Sequence, residues 1–213
     1  MSSSRPRVEV FSLRAQKYDL WYEKHRYTYL SELKLFSSLS SFPSPSVEIG
    51  VGTGRFAHPL KINFGLDPSL PMLILARERG VKTVVGMGES LPFLSASMAS
   101  VLLAITLCFL EEPIRALREI SRVLYPGGEL VMGFVERDSP WGKYYMGKDS
   151  PFYKVARFFS YGEVKGMLGE IGFIIEKTAQ ILLYPPGQVE RLEVPLPGHD
   201  KGGFVGILAR KPY

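Results

Sequence analysis

The stretch that decides the fold is "VEIGVGTGRF", residues 47–56, in which three glycines fall within five positions directly after a short hydrophobic run. Glycine tolerates positive φ and lets backbone N–H groups approach a ligand closely. A tight turn from strand to helix requires only one such residue, so Gly50, Gly52 and Gly54 together indicate a loop that holds a ligand. Glu48 places an acidic side chain just before this loop.

From residue 47 onward, hydrophobic segments typical of buried strands alternate with helical segments. The predicted strands are "VEIG" (47–50), "INFGLD" (62–67), "VKTVVG" (81–86), "ASVLLAIT" (99–106) and "ELVMGFV" (129–135). Between them, helices are predicted for "RFAHPLK" (55–61), "SLPMLILARERG" (69–80) and "EEPIRALREISRVLY" (111–125). Strands that alternate with helices indicate a parallel sheet with right-handed crossovers and helices on both faces.

The C-terminal part follows a different pattern. "YGEVKGMLGEIG" (161–172) predicts a helix that ends at Gly172, and "FIIEKTAQILLY" (173–184) and "GFVGILARK" (203–211) predict two strands with no helix between them. Such strands must pair antiparallel. We therefore expect an α/β fold: a seven-stranded, mostly parallel, doubly wound sheet with an antiparallel C-terminal hairpin, helices on both faces and an N-terminal helical cap.

The N-terminal region predicts a helix over residues 12–39 that carries an aromatic face. The spacings of three and four residues that define this face join Tyr18, Trp21, Tyr22, His25 and Tyr29. The serines and prolines of "SSLSSFPSPS" (37–46) then predict a linker. We expect a cap and linker over 1–46, one ligand-binding domain over 47–213, and a lid-like insertion over 136–160.

Composition limits the class of protein. The 213 residues are 46% hydrophobic, which suits one globular domain. No hydrophobic run approaches the roughly 20 residues that span a bilayer, and "MSSSRPRVEV" lacks the apolar centre of a secretion signal. The single cysteine, Cys108, excludes an intramolecular disulfide and fits a reducing compartment, so we expect a cytoplasmic protein. The scattered histidines (His25, His58, His199) predict no metal site.

The residues around the glycine loop limit the ligand that it holds. A phosphate-binding P-loop requires lysine and serine or threonine after its last glycine, whereas Arg55 and Phe56 follow Gly54. A dinucleotide loop carries glycine or alanine where this chain has Arg55. Glu48 would repel a pyrophosphate but favour a cationic ligand, and S-adenosylmethionine carries a sulfonium and an ammonium group and no phosphate. Asp67 ends the second predicted strand, where a carboxylate can accept hydrogen bonds from ribose hydroxyls.

Four motifs in order carry a family resemblance: Glu48-x-Gly50-x-Gly52-x-Gly54, "GLDPS" (65–69), "GESLPF" (88–93) and "LYPGGELVMGF" (124–134). Together they resemble the Rossmann-type, or class I, S-adenosylmethionine-dependent methyltransferases. The branch that the chain resembles most is that of ubiquinone and menaquinone methyltransferases and related small-molecule enzymes. The resemblance covers about residues 47–135, and the tail is similar in topology only.

The resemblance implies roles for particular residues. The glycine loop would hold the methionine part of S-adenosylmethionine, and Asp67 would bind the ribose. Gly88 and Glu89 of the "GESLPF" motif would lie along the adenine edge. The implied cofactor-binding residues are Glu48, Gly50, Gly52, Gly54, Asp67, Pro68, Ser69, Met72, Met87, Gly88, Glu89 and Thr106. One departure is clear: where the family usually has Asp-Ala, this chain has Met87-Gly88. A backbone group or Glu89 must then accept from the adenine amino group, or that contact is lost.

Methyl transfer from a sulfonium is an in-line displacement that relies on alignment and on exclusion of water. A strong catalytic base is therefore not required, and the catalytic residues stay undefined. The candidates are Tyr18 and His25, beside Trp21 on the N-terminal aromatic face, and Tyr144 and Tyr145 in the aromatic-rich segment 136–159. We expect residues 12–36 and 136–159 to form a lid over the methyl group. Aromatic residues at helical spacing, however, more often belong to the core of a protein than to its active site.

Three hypotheses for function follow. The leading one is a methyltransferase for a small-molecule acceptor, bound in an enclosed aromatic chamber. An RNA or protein methyltransferase stays an alternative because of the net charge of +5 and the basic residues Lys143, Lys148, Lys154 and Arg157 in segment 136–159. The third is a regulator that binds S-adenosylmethionine without catalysis. The residues determine neither the acceptor atom nor the oligomeric state.

Overall fold

The computed structural model describes residues 5–213. Residues 1–4, which begin the segment assessed above for a secretion signal, lie outside the described residues. The helices are α1 (Arg5–Ser12), α2 (Ala15–Lys24), α3 (Arg26–Leu39), α4 (Leu70–Glu78), α5 (Pro113–Val123), α6 (Pro140–Met146), α7 (Pro151–Lys154) and α8 (Tyr161–Ile171). The strands are β1 (Ser46–Ile49), β2 (Phe64–Asp67), β3 (Lys82–Val85), β4 (Met98–Ala104), β5 (Leu124–Val135), β6 (Ile174–Ile181), β7 (Leu196–Pro197) and β8 (Phe204–Arg210).

These strands form one eight-stranded sheet in the order β3-β2-β1-β4-β5-β8-β6-β7. Strands β1 to β5 pair parallel, and β8 lies antiparallel between β5 and β6. The expected α/β fold with antiparallel C-terminal strands is confirmed. The sheet has eight strands rather than seven, because Leu196 and Pro197 in the long β6–β8 connection add a short edge strand beside β6.

Apolar side chains cover both faces of this sheet. One core cluster packs α5 and α8 on one face, and the other packs α3 and the glycine-loop region on the opposite face. Glycines in the strands bring α3 close: a Cβ on Gly206 would lie 2.2 Å from Leu35 Cδ2, and one on Gly133 would lie 2.5 Å from Phe36 Cζ. Helix α3 therefore packs directly on the sheet, although it belongs to the segment 1–46 that the sequence predicts as a cap and linker.

Two local predictions were wrong. The segment 55–61 forms successive turns instead of a helix, because Pro59 has no N–H to donate and Lys61 adopts a positive φ of 56°. The predicted helix over 12–39 is two helices, α2 and α3, that meet at His25. Its last turn extends to Leu39, inside the predicted linker.

Two absences hold for residues 5–213. No helix there is long and apolar enough to cross a membrane. No group of three histidine, cysteine, aspartate or glutamate side chains there could hold a metal ion.

Candidate active site

A cleft of about 790 Å³, including the space that opens to solvent, lies at the carboxyl ends of β1, β2 and β4. This is the edge where open α/β sheets bind ligands. The structure brings ten of the twelve predicted cofactor residues to this cleft. They are Gly50, Gly52, Asp67, Pro68, Ser69, Met72, Met87, Gly88, Glu89 and Thr106.

The carboxylate of Asp67 accepts hydrogen bonds from the backbone of the glycine loop and of the segment that follows β2. The backbone N–H of Gly52 donates to Asp67 Oδ2 (2.9 Å), and the N–H of Ser69 donates to Oδ1 (2.8 Å). Gly52 has a φ of +52°, and a Cβ on it would meet a single neighbour, Tyr18 Cε1 at 3.9 Å. Gly52 thus presents bare backbone to open space beside Asp67.

Burial raises the pKa of Asp67 to about 6, and the two N–H donors act in the opposite direction. Asp67 is therefore mostly ionised at neutral pH. Because a carboxylate offers about four lone-pair sites, each oxygen can accept a further hydrogen bond from a ligand. The Asp67 carboxylate can therefore accept hydrogen bonds from two ribose hydroxyls.

Glu89 places a carboxylate in the cleft lining beside Met87 and Gly88. Its Oε1 accepts a hydrogen bond from the N–H of Glu111 (2.9 Å). Its Oε2 is buried and has no hydrogen-bond partner among the described residues. A buried oxygen without a partner fits a ligand that brings an N–H donor.

The structure leaves Glu48 and Gly54 away from the cleft. Glu48 is 1% exposed; burial raises its pKa well above the ordinary range, while the N–H of Ala57 lowers it. Gly54 allows the loop to approach α4, because a Cβ there would lie 3.2 Å from Ala76 Cα. Both residues lie in or next to the glycine loop but outside the cleft lining. Direct contact of Glu48 or Gly54 with the ligand stays a prediction.

A second, larger cavity of about 1580 Å³, including open solvent, adjoins the cleft. We call it the aromatic chamber. Both predicted lid segments line it, and it shares Tyr18, Ile105 and Phe109 with the cleft. Its other aromatic lining residues are Trp21, Tyr22, His25, Phe134, Tyr145, Phe152, Tyr153, Phe158 and Phe159.

Three of the four candidate catalytic residues line this chamber. Tyr18, His25 and Tyr145 line it, whereas Tyr144 is 41% exposed and lies outside the lining. Burial raises the pKa of Tyr18 above its ordinary value, while burial lowers that of His25. At neutral pH, therefore, Tyr18 is a neutral phenol and His25 a neutral imidazole.

Known proteins that are similar to this chain in sequence and in structure are methyltransferases. Residues 47–132 match the family model of a methyltransferase domain. The solved structure of a SAM-dependent methyltransferase from Thermotoga maritima, described as "possible histamine N-methyltransferase", is 41% identical and superimposes with a TM-score of 0.91 over 95% of this chain and 98% of that one. The chain belongs to the class I S-adenosylmethionine-dependent methyltransferases.

Two curated relatives extend this comparison. An uncharacterized protein of Methanocaldococcus jannaschii is 39% identical over 207 residues, which are 96% of this chain and 100% of the relative. Demethylmenaquinone methyltransferase of Corynebacterium kroppenstedtii is 35% identical over 83 residues, 39% of this chain. The family is thus shown over almost the whole chain, and similarity to the quinone enzyme covers only part of it. S-adenosylmethionine is the cofactor of this methyltransferase.

Part of the cleft lining lies on a helix that no sequence motif marks. Arg7, Val8 and Phe11 on α1 line the cleft, although the predicted lid began at residue 12. Phe11 packs against Phe109 (4.8 Å between ring centroids) and Phe152 (5.2 Å). No local pattern marks these residues, because their contacts join segments about 100 and 140 residues apart.

A cluster of hydrogen bonds, which we call the polar latch, ties α2, in the predicted lid, to the glycine loop. Asp19 on α2 accepts hydrogen bonds from Thr53 Oγ1 (2.6 Å), Arg55 Nη2 (2.6 Å) and Arg79 Nη2 (2.7 Å). Hydrogen bonds from these three partners hold the pKa of Asp19 below its ordinary value, although burial acts in the opposite direction. Because Thr53 lies inside the glycine loop, the position of α2 is coupled to the cofactor cleft.

We expect Asp19→Ala to release this lid. The loss of a largely buried acceptor for two arginines should lower the free energy of unfolding by about 3 kcal/mol. Hydrogen exchange with S-adenosylhomocysteine should show new protection in residues 12–36 and 136–159 of the wild type. In the variant, that protection should be lost from α2.

The control is Asp149→Ala, which breaks the ion pair of Asp149 with Lys154, whose side chains are 90% and 68% exposed. Exposed pairs contribute about 0–1 kcal/mol, so exchange in α2 should stay as in the wild type. Equal exchange in Asp19→Ala and Asp149→Ala would contradict the latch. Protection confined to residues 48–90 of the wild type would contradict the lid.

Proposed function

We propose that this methyltransferase transfers a methyl group, by in-line displacement, to a small-molecule acceptor bound in the aromatic chamber. The observation that carries the proposal is that the two cavities are neighbours with common lining residues. The cleft holds the residues expected to bind the cofactor, and it shares Tyr18, Ile105 and Phe109 with the chamber. An acceptor in the chamber would therefore lie next to the cofactor.

The cleft residues fit S-adenosylmethionine. Asp67 would accept from the ribose hydroxyls, and Glu89 Oε2, which has no partner, would accept from the adenine amino group. The bare backbone at Gly52 would admit the methionine part. When bound, the cofactor supplies a methyl group on a positively charged sulfur, an already activated electrophile.

The protein's own contribution would be alignment and exclusion of water. Phe11, Tyr18, Phe109 and Phe152 form an aromatic cluster with ring centroids 4.8–5.6 Å apart at the junction of the two cavities. Such a wall restricts the approach of an acceptor and keeps water from the methyl group. We assign the lid role to α1, α2 and the insertion 136–160, and the cofactor-binding role to the domain 47–213.

The shape of the site favours a small acceptor over a polymer. RNA requires an accessible basic groove, whereas aromatic rings dominate the lining of the chamber. Among the basic residues that suggested RNA, Lys154 pairs with Asp149, and Arg157 lies over the ring of Phe159 at 4.8 Å. The description of the Thermotoga maritima structure names a small acceptor, and the quinone branch has only partial support.

Labelled S-adenosylmethionine tests the proposal. The methyltransferase is incubated with a metabolite extract and, separately, with total RNA and with total protein. We expect label in low-molecular-mass products and none above background in RNA or protein. Label in RNA or protein would refute the small-molecule acceptor. Cofactor binding by calorimetry without label in any fraction would favour a non-catalytic regulator.

A further inference from the structure

A buried carboxyl group without a partner faces the aromatic chamber. Glu32 of α3 lines the chamber and is only 2% exposed. Its Oε2 has no hydrogen-bond partner, and within residues 5–213 Glu32 forms no ion pair. Neither the sequence motifs nor the family resemblance singled out this residue.

Aromatic side chains surround this carboxyl group. Glu32 lines the same chamber as four tyrosines, Tyr18, Tyr22, Tyr145 and Tyr153. Burial raises the pKa of each tyrosine, and Glu32 adds to the shift. The rings of Tyr145 and Tyr153 lie 4.8 Å apart, and the hydroxyls of Tyr18 and Tyr22 bond to each other at 2.9 Å. Within the described part of the chain no cation pairs with Glu32, and burial raises its pKa to about 8.

We propose that Glu32 binds the amino group of an amine acceptor and takes up its proton. The inference rests on the proposed function, since it places the acceptor in this chamber. A buried carboxylate without a counter-charge is costly, and an ammonium group removes that cost while the tyrosine faces attract it. A neutral alcohol or thiol could hydrogen-bond to Glu32, but it would bring no counter-charge.

The proton balance is simple. An ammonium R–NH₃⁺ gives one proton to the Glu32 carboxylate, which leaves R–NH₂ with a free lone pair and a neutral carboxylic acid. The nitrogen forms its bond to the methyl carbon as the carbon–sulfur bond breaks, and the positive charge passes from sulfur to nitrogen. Below pH 8 the resting Glu32 is a neutral acid. It loses a proton to water when the ammonium binds, regains one from the ammonium before methyl transfer, and keeps it as the methylated ammonium leaves, so each turnover releases one proton.

The other titratable groups of the chamber do not compete for this proton between pH 7 and 9. The four tyrosines stay neutral because their pKa values are raised, burial raises the pKa of Cys108 to about 12, and burial lowers that of His25. Burial also raises the pKa of Glu48, whose influence reaches Tyr22, well above its ordinary range. Three exposed lysines line the mouth, where water and salt screen their charge: Lys17, Lys24 and Lys148.

A matched pair of probes tests the inference by calorimetry with S-adenosylhomocysteine bound. The probes are phenethylamine and 2-phenylethanol, which share a ring and a chain and differ in the cationic group. At pH 7 we expect phenethylamine to bind roughly 10- to 150-fold more tightly, as hydrogen bonds to charged groups predict. Comparison of buffers with different ionisation enthalpies should show release of about one proton on binding.

Glu32→Gln should bring the two affinities within a factor of about 3 and abolish the proton release, since an amide neither carries charge nor titrates. Glu193→Gln is the control: Glu193 is also buried with one oxygen lacking a partner, but it lies outside the chamber lining. It should bind both probes as the wild type does. Thermal unfolding of both variants verifies that they are folded.

Two results would overturn the inference, and they are distinguishable. If wild type and Glu32→Gln prefer phenethylamine equally, the chamber binds ligands but Glu32 does not select amines, and the proposed function stands. If neither probe binds wild type that holds S-adenosylhomocysteine normally, the chamber is not the acceptor site, and the proposed function fails as well.

Discussion

Gly52→Val should abolish binding of S-adenosylmethionine and S-adenosylhomocysteine while leaving the methyltransferase folded. Gly52 has a φ of +52°, and its Cβ would point into the open space of the cleft. A valine there would place two methyl groups where the ligand must approach the backbone. The positive φ costs a branched residue about 1–2 kcal/mol, which a domain of this size tolerates. Calorimetry should detect no binding, and circular dichroism should show a cooperative unfolding transition.

A matched variant separates backbone strain from steric block. Gly80 also has a positive φ (+86°), and a Cβ on it would meet nothing within 4 Å. It follows α4 and does not line the cleft. Gly80→Val should therefore lose a similar amount of stability and bind the ligand as the wild type does. Normal binding by a folded Gly52→Val would show that the loop does not hold the cofactor.

Asp67→Ala should weaken the binding of S-adenosylhomocysteine by roughly 10- to 150-fold. The substitution removes a charged acceptor for two ribose hydroxyls, and hydrogen bonds to charged groups contribute about 1.5–3 kcal/mol. It also frees the N–H groups of Gly52 and Ser69, which Asp67 now holds. Calorimetry at pH 7.5 measures the loss. The control Asp138→Ala alters an exposed carboxylate paired with Arg137 and should leave the affinity unchanged.

The pH profile distinguishes ribose binding from loop support. The ligand binds the ionised form of Asp67, whose pKa is raised to about 6, so wild-type affinity should fall below pH 6 by up to tenfold per unit. In Asp67→Ala this decrease should disappear. The 2′-deoxy analogue of S-adenosylhomocysteine should lose less affinity on the substitution than the ribo form. Equal losses for the two ligands would mean that Asp67 only shapes the loop.

The order of elements could be predicted because it depends on local patterns. Alternating hydrophobic and helical segments determined the parallel sheet, and adjacent strands without a helix between them determined the antiparallel C-terminal pair. The failures were local too. Pro59 interrupts a segment whose composition favours a helix, and β7 is a two-residue strand that pairing with β6 alone defines. Neither failure altered the sheet order or the position of the cleft.

The sequence by itself determined the position of the cleft, because three closely spaced glycines (Gly50, Gly52 and Gly54) and Asp67 occupy a turn and a strand end whose places in such a sheet are fixed by topology. An aromatic chamber could be predicted from the sequence, but only the tertiary structure decided which residues line it. Glu32 lies in a helix without any motif, and it faces the chamber because Gly133 and Gly206 let α3 pack on the sheet. Tyr145 and Tyr144 are adjacent in sequence, yet only Tyr145 lines the chamber. Burial and the absence of a partner arise from contacts between distant segments, which a linear pattern does not encode.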